Sequence, residues 1–143
     1  MPDYLKERML KKKIRDNPDD LRSWENILRF YLESYRLDDA RATVAEILNR
    51  FPLTPRAYYL NALLHLREGD QERAIASLLI GLEKNPYDYD CTVQLVRIYM
   101  EKGLLKDAKR ALMDILYYFP GRSEPYRLLA TIELAENNYE RAM

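Results

Sequence analysis

Side chains that could carry out catalysis or bind a metal are few in this sequence, and they are poorly placed to act together. His65 is the only histidine and Cys91 the only cysteine among the 143 residues. A protein metal site needs about three or four ligands, and no second His or Cys is present to join these two. Asp88 and Asp90 lie beside Cys91, and neighbouring carboxylates disfavour the thiolate that a nucleophile requires. The sequence also has no glycine-rich phosphate loop, GxSxG or HExxH motif, so we expect no catalytic residue, no metal and no cofactor.

Arginine side chains offer a different chemistry, the binding of carboxylates. Arg29, Arg97 and Arg127 each carry a guanidinium group that forms paired hydrogen bonds with a carboxylate, and together they could hold acidic groups of an extended ligand. The alternative is that Arg29 pairs with Glu33 and Arg97 with Glu101, four positions along the same helix, for about 0.2–0.5 kcal/mol each. Both interpretations are compatible with the sequence.

Charge and hydropathy exclude several classes of partner. The 23 basic and 23 acidic residues give a formal net charge of zero, so no net field attracts nucleic acid or an anionic membrane. The longest nearly apolar run, residues 76–82, is far shorter than the roughly 20 residues that span a bilayer. We therefore expect a helix-rich cytoplasmic domain that binds no nucleic acid directly and has no membrane span.

Prolines recur along the chain at a constant interval. Pro18, Pro52, Pro86 and Pro120 are equally spaced. The same interval relates three further columns of residues: Ala40, Ala74, Ala108 and Ala142; Leu48, Leu82 and Leu116; and Trp24, Tyr58, Thr92 and Tyr126. A period of this length indicates one supersecondary unit stacked along an axis.

Two amphipathic helices fit within each unit. In the first unit, Ile27 and Tyr31 lie one turn apart on one apolar helical stripe. Gly69, Gly103 and Asn137 tolerate the positive φ with which many helices end, so each is expected to separate two helices. The predicted helices are 21–34, 37–50, 55–68, 71–84, 89–102, 105–118 and 123–136, with another beginning near Tyr139.

A unit of about 34 residues with an early aromatic residue, an alanine early in its second helix and a terminal proline resembles the tetratricopeptide repeat. Residues 55–88 match that pattern best, through Tyr58, Ala62, Gly69-Asp70, Ala74, Leu78 and Pro86. The resemblance implies an all-α fold, a right-handed superhelical α-solenoid of antiparallel helix pairs. It implies an N-terminal capping helix, residues 1–17, and a repeat domain, residues 18–143, with repeats 21–54, 55–88, 89–122 and a truncated repeat 123–143.

By the same resemblance, the first helix of each repeat lines a concave face that binds a peptide or protein segment. The protein is then a non-catalytic scaffold for protein–protein interactions. The apolar members of this face are expected to supply most of the affinity, because exposed apolar patches mark interaction sites. The positions that face the predicted groove are Arg22, Arg29, Arg56, Tyr59, Leu63, Leu66, Val93, Arg97, Met100 and Arg127.

Repeats one and three resemble each other more than either resembles repeat two. Where the two helices of a repeat face each other, repeat two has the small residues Ala62 and Gly81, whereas repeat one has Leu28 and Ile47. Bulky facing residues hold helix axes farther apart, within a range of about 8–10 Å. We therefore expect the helix pairs of repeats one and three to be spaced more widely than the pair of repeat two.

Two alternative functions involve other classes of partner. Unit one, through Trp24, Glu33 and Phe51-Pro52, also resembles the half-a-TPR repeats of scaffolds in RNA-processing complexes. Residues 6–15 combine basic side chains with an apolar stripe, which is typical of a capping helix but also of a segment that touches a membrane or RNA.

Self-assembly is a third alternative. The sequence stops at Met143, soon after the predicted start of the last helix, so helix 123–136 is expected to expose Tyr126, Leu129 and Ala130. The chain would then be a fragment of a longer array, or it would form a homo-oligomer through this end.

Overall fold

Helices account for all regular structure in the part of the chain that is described. The computed structural model describes the backbone of residues 1–142 and the side chains of residues 1–138. Three helix pairs, α2–α3, α4–α5 and α6–α7, pack one against the next, with α1 at one end and α8 at the other. This arrangement confirms the expected all-α solenoid. The helices are α1 (Asp3–Asp16), α2 (Leu21–Glu33), α3 (Leu37–Arg50), α4 (Pro55–Arg67), α5 (Gln71–Lys84), α6 (Tyr89–Glu101), α7 (Leu105–Tyr118) and α8 (Ser123–Ala142).

The turn inside each of the first three repeats reverses the chain at a residue with a left-handed backbone. Tyr35, Gly69 and Gly103 hold this position, with φ values of 54°, 77° and 75°. After Gly69, the amide of Asp70 donates to the carbonyl of His65 at 2.8 Å, the backbone pattern of a Schellman motif. Glycine adopts this backbone without steric cost, whereas Tyr35 carries a Cβ, so the turn of repeat one is strained.

The predicted break at Asn137 is wrong. Asn137 stands one repeat period after Gly103, but α8 runs through it to Ala142 and includes Tyr139. Asparagine only tolerates the left-handed backbone and also fits within a helix, so it ends a helix only when packing favours the turn. No element follows α8 in the described residues to favour such a turn.

Aspartates begin three of the helices. Side-chain oxygens of Asp20, Asp70 and Asp88 accept hydrogen bonds from backbone amides in the first turns of α2, α5 and α6, as the Asp88 carboxylate does from Cys91 at 3.0 Å. Each bond satisfies an amide that has no partner within its helix. These three helices therefore begin directly after an aspartate that follows Pro18, Gly69 or Pro86.

The second helix pair packs most closely, as its small facing residues predict. The backbones of α4 and α5 approach each other more extensively than those of α2 and α3 or of α6 and α7. At Gly81 an added Cβ would lie 2.9 Å from the sulfur of Cys91 and 3.3 Å from the Cβ of Tyr58. Because α4 and α5 lie close together, the hydroxyl of Ser77 on α5 donates a hydrogen bond to the carbonyl of Tyr58 on α4 at 2.8 Å. Gly81 thus allows three helices to meet.

A largely covered acid links α1 to the first repeat. Glu7 accepts hydrogen bonds from the hydroxyl of Tyr31 at 2.9 Å and from the guanidinium of Arg36. The Arg36 guanidinium is the main reason that the pKa of Glu7 falls to about 2. Leu10 and Ile14 of α1 pack against the apolar cluster of the first repeat. None of the described helices combines the length and the hydropathy that crossing a bilayer requires.

Replacing Gly81 with alanine should destabilise the protein. Overpacking costs about 1–3 kcal/mol, which exceeds the gain of about 1 kcal/mol in helix propensity. Chemical denaturation measures the change, and Ala76→Gly, at an exposed position of α5, reports helix propensity alone. In a Cys91→Ala background the cost should fall by about 1 kcal/mol, because the nearest atom is gone. An equal cost in both backgrounds would show that Cys91 does not limit the space at Gly81.

Glu7→Gln should lower the thermal midpoint at neutral pH and have little effect in acid. The pKa of Glu7 in the folded protein is lowered from 4.5 to about 2, so its stabilisation is present above pH 4.5 and is lost as the pH falls towards 2. Melting curves from neutral pH down towards pH 2 should therefore converge for the two proteins. Asp3→Asn, on the same helix but exposed, should shift the midpoint much less. A difference that persists unchanged at the acid end contradicts this assignment.

Candidate functional site

A cleft opens between the first helices of repeats one and two. It has a volume of about 300 Å³, and Leu32 in its lining is almost completely buried. Aliphatic side chains from α2 and α4 form its apolar part, and charged side chains surround them. We call it the α2–α4 cleft; its lining residues are Arg29, Leu32, Glu33, Leu63, Leu66 and Arg67. Three of the predicted groove positions, Arg29, Leu63 and Leu66, thus line one cleft.

A chain of ion pairs connects the first helices of three repeats. Glu25 on α2 accepts two hydrogen bonds from Arg56 on α4, at 2.8 Å and 2.9 Å, and one from Arg29 at 3.1 Å. Arg56 also donates to Asp90 on α6 at 2.6 Å, and its guanidinium lies 4.6 Å from the ring centre of Tyr59. The hydrogen bond from Arg56 is the main cause of the lowered pKa of Glu25. This chain fixes the relative positions of α2, α4 and α6 along the groove.

A second ionic cluster joins α6 to α8. Glu124 accepts hydrogen bonds from Arg97 and from Arg127, and the bond from Arg97 is the main reason that its pKa is lowered. The side chain of Arg127 is 75 % exposed. Arg97 and Arg127 therefore lie at one site, separate from the cluster around Glu25.

The alternative pairing within single helices, Arg29 with Glu33 and Arg97 with Glu101, is absent from the described residues. Arg29 pairs with Glu25 rather than Glu33, and Arg97 pairs with Glu124 on the next repeat rather than Glu101. Spacing along one helix does not reveal a carboxylate on a neighbouring helix, such as that of Glu124. The side chains of Arg29 and Arg97 still remain 45 % and 48 % exposed.

Val93 does not contribute to the exposed groove surface. It is 7 % exposed, whereas Tyr59, which holds the same position in the preceding repeat, is half-buried. The short side chain of Val93 reaches less far from its helix than an aromatic ring does, so its place among the exposed groove residues is corrected.

The remaining apolar groove positions have a structural role as well as an exposed surface. Tyr59 and Leu63 pack against the first core cluster, Leu66 against the second, and Met100 against the third. All four are half-buried. Arg22 lies exposed near the start of α2. The groove surface is therefore formed by the outer parts of side chains whose inner parts belong to the core.

His65 and Cys91 are both covered by the surrounding protein. His65 is largely covered, and its Nδ1 lies 3.2 Å from a carboxylate oxygen of Glu68. Cys91 is completely buried, and burial, followed by Asp88, raises the pKa of its thiol. Within the described residues no group of three or more His, Cys, Asp or Glu side chains is arranged to hold a metal ion.

Part of the surface of α8 is apolar and uncovered. Tyr126 is 49 % exposed and Leu134 is 64 % exposed, and Ala130 between them is exposed as expected. The expectation for Leu129 is wrong, because it is half-buried against the third core cluster.

The ion pairs of Glu25 with arginines of two repeats are a feature of the groove that its sequence position alone did not predict. Glu25 lies on the groove side of α2 and accepts hydrogen bonds from two arginines of different repeats. The available signal was the near-repeat spacing of opposite charges, since Arg56 lies between Glu25 and Asp90 at a separation of 31 positions from the first and 34 from the second.

Two models of the tetratricopeptide repeat match the sequence, one over residues 29–89 and one over residues 65–132. The chain belongs to the tetratricopeptide repeat family. It is accordingly a repeat protein of the kind that serves as a scaffold for protein interactions. No curated protein matches the sequence.

Two solved structures of MamA are similar to this tetratricopeptide repeat protein in fold. The first superposes with a TM-score of 0.71 at 18 % identity, covering 92 % of this chain and 77 % of that chain. The second gives a TM-score of 0.70 at 18 % identity, covering 95 % of this chain and 74 % of the other. At this level of identity the similarity shows the shared fold.

Glu25 and Arg56 should show a measurable coupling energy. A double-mutant cycle with Glu25→Ala and Arg56→Ala should give about 1 kcal/mol, because the pair is partly buried and joined by two hydrogen bonds. The exposed pair Lys12 and Asp16 is the matched control and should give about 0.5 kcal/mol or less. Equal coupling energies for the two pairs would contradict a role for Glu25 in joining α2 and α4.

Proposed function

We propose that this chain binds an extended segment of a partner protein along its concave face, with the α2–α4 cleft as the principal contact, and that it acts without catalysis. The observation that carries the proposal is the composition of the cleft, an apolar part formed by Leu32, Leu63 and Leu66 between charged side chains. Binding sites of this kind combine apolar contact area with a few polar groups that fix orientation.

The apolar part of the cleft supports the binding of an aliphatic or aromatic side chain. Leu63 and Leu66 lie one turn apart on α4 and are only half-buried, so a ligand removes further apolar surface from water. Such burial contributes about 25 cal/mol per Å² before the costs of association are subtracted.

The exposed arginines at the cleft and along the groove favour a ligand that carries acidic groups. Arg29 is close to half exposed and donates to Glu25 through Nε, and a guanidinium has five N–H donors in total. Arg97 offers a similar exposed guanidinium farther along the groove. A ligand carboxylate can therefore bind either arginine without breaking the ion pairs that hold the helices.

The ligand that fits these observations is a segment with an apolar residue and carboxylates on either side of it. The zero net charge of the chain means that this recognition depends on local side chains rather than on a long-range field.

Leu66→Asp should weaken ligand binding at least tenfold, a loss of about 1.4 kcal/mol. A peptide library displayed on phage supplies ligands, and isothermal titration calorimetry measures the affinity of the selected peptides for each variant. The physical reason is that the bound ligand removes the introduced carboxylate from water, and burial of an unpaired charge costs free energy.

Leu79→Asp is the matched control, because Leu79 is an exposed leucine of α5 outside the cleft. It should leave the affinity unchanged. The proposal fails if Leu66→Asp binds the selected peptides as the wild type does, or if the library yields no peptide that binds the wild type.

A further inference from the structure

One aromatic position recurs in the repeats and makes the same hydrogen bond each time. The indole N–H of Trp24 donates to the carbonyl of Pro18 at 2.9 Å, and the hydroxyl of Tyr58 donates to that of Pro52 at 2.7 Å. In the fourth repeat the hydroxyl of Tyr126 makes the corresponding bond, at 3.1 Å. Each ring therefore packs beside the proline turn that precedes its own helix.

A cation from the second helix covers two of these rings. The guanidinium of Arg50 lies 5.2 Å from the ring centre of Trp24 and forms an ion pair with Glu46 at 2.9 Å. The ammonium of Lys84 lies 5.9 Å from the ring of Tyr58. Repeat one thus contains a complete arrangement: a ring with a donor, a carbonyl acceptor, a cation and a carboxylate.

Repeat three keeps the acceptors of this arrangement and lacks the ring and the cation. Thr92 replaces the ring, and its hydroxyl donates to the carbonyl of Asp88 instead. Among the described residues no side chain donates to the carbonyl of Pro86. Tyr118 takes the position that Arg50 and Lys84 hold in the first two repeats, and Asp114 replaces Glu46 without an ion pair in the described part of the chain.

A small pocket occupies the place of the absent ring. Its volume is about 80 Å³, and Pro86, Thr92, Asp114 and Tyr118 are among the residues that line it. None of its lining residues belongs to the α2–α4 cleft. The pocket is therefore a second site, between the ends of α5 and α7 and the start of α6.

Exposed tyrosines surround this pocket. The rings of Tyr87 and Tyr118 are 4.1 Å apart, and those of Tyr117 and Tyr118 are 5.0 Å apart. Tyr117 is 79 % exposed, and the other two are about half exposed. Tyrosine combines an apolar ring with a polar hydroxyl, and for this reason it is enriched at protein interfaces.

We propose that this pocket, which we call the Thr92 pocket, binds a tryptophan or tyrosine side chain of a partner protein, next to an arginine or lysine of the same segment. The aromatic ring takes the position that Trp24 and Tyr58 take in their own repeats. One edge of the ring enters the pocket, where its N–H or O–H donates to the carbonyl of Pro86, and the rest of the ring lies outside the pocket against Tyr87 and Tyr118. The neighbouring cation pairs with Asp114, which restores the charge arrangement of repeat one.

Titration of the ¹⁵N-labelled chain with the peptide acetyl-Gly-Trp-Arg-Gly-amide tests the proposal. Saturable chemical-shift changes are expected at the amides of Tyr87, Thr92, Asp114 and Tyr118. The same peptide with leucine in place of tryptophan, or glutamate in place of arginine, should bind at least tenfold more weakly. Shift changes confined to α2 and α4 would overturn the proposal and would show that the peptide binds in the α2–α4 cleft.

Thr92→Tyr provides the decisive variant, because it supplies the missing ring from the chain itself. Binding of the tryptophan peptide should fall at least tenfold, and the thermal midpoint should rise. Thr131→Tyr, which adds the same ring at an exposed position of α8, should leave binding unchanged. Asp114→Asn alters only a surface carboxylate and should weaken binding and reduce its dependence on salt. Unchanged binding in both Thr92→Tyr and Asp114→Asn would overturn the proposal.

Discussion

The first helix pair packs around an apolar centre that it shares with the next repeat. One core cluster contains three fully buried residues from three helices: Leu28 on α2, Ile47 on α3 and Leu60 on α4. A second cluster links α4 and α5 to α6 in the same way, through residues such as Leu78 and Cys91. No repeat can bury its apolar faces alone. This sharing of cores places the first helices of successive repeats side by side and so creates the groove.

Contacts within the protein hold the helices of the groove in place. Glu25, Arg56 and Asp90 connect three successive first helices through hydrogen bonds, and each of these side chains has its partners within the protein. A preordered site loses less conformational entropy on binding, which favours affinity. The same ion pairs leave part of the Arg29 guanidinium exposed, so the groove keeps an exposed positive group.

Much of the fold could be predicted because its determinants are local. The equally spaced prolines, together with Gly69 and Gly103, which tolerate positive φ, locate the helices without any tertiary information. Asn137 shows the limit, since asparagine fits both a turn and a helix and only packing decides between them. The strained turn at Tyr35 is likewise invisible to a search for glycine.

The site was less accessible to prediction, because its geometry depends on contacts between repeats. A helical wheel places Leu63 and Leu66 on the side of α4 that lines the cleft, but it cannot show that Val93 is covered or that Arg97 pairs with Glu124 on another helix. The Thr92 pocket was present in the sequence as an interruption of the aromatic column. The sequence alone does not show that the ring, cation and acceptor of repeat one are in contact, which is the arrangement that repeat three lacks.

The most direct test of the account is a map of ligand contacts on the methyl groups of the chain. Methyl-labelled protein is titrated with a peptide selected for binding, and chemical-shift changes are followed by NMR. The account predicts that the largest changes occur at Leu32, Leu63 and Leu66. Largest changes at the exposed Leu79 and Ile80 of α5, with the cleft methyls unaffected, would contradict it.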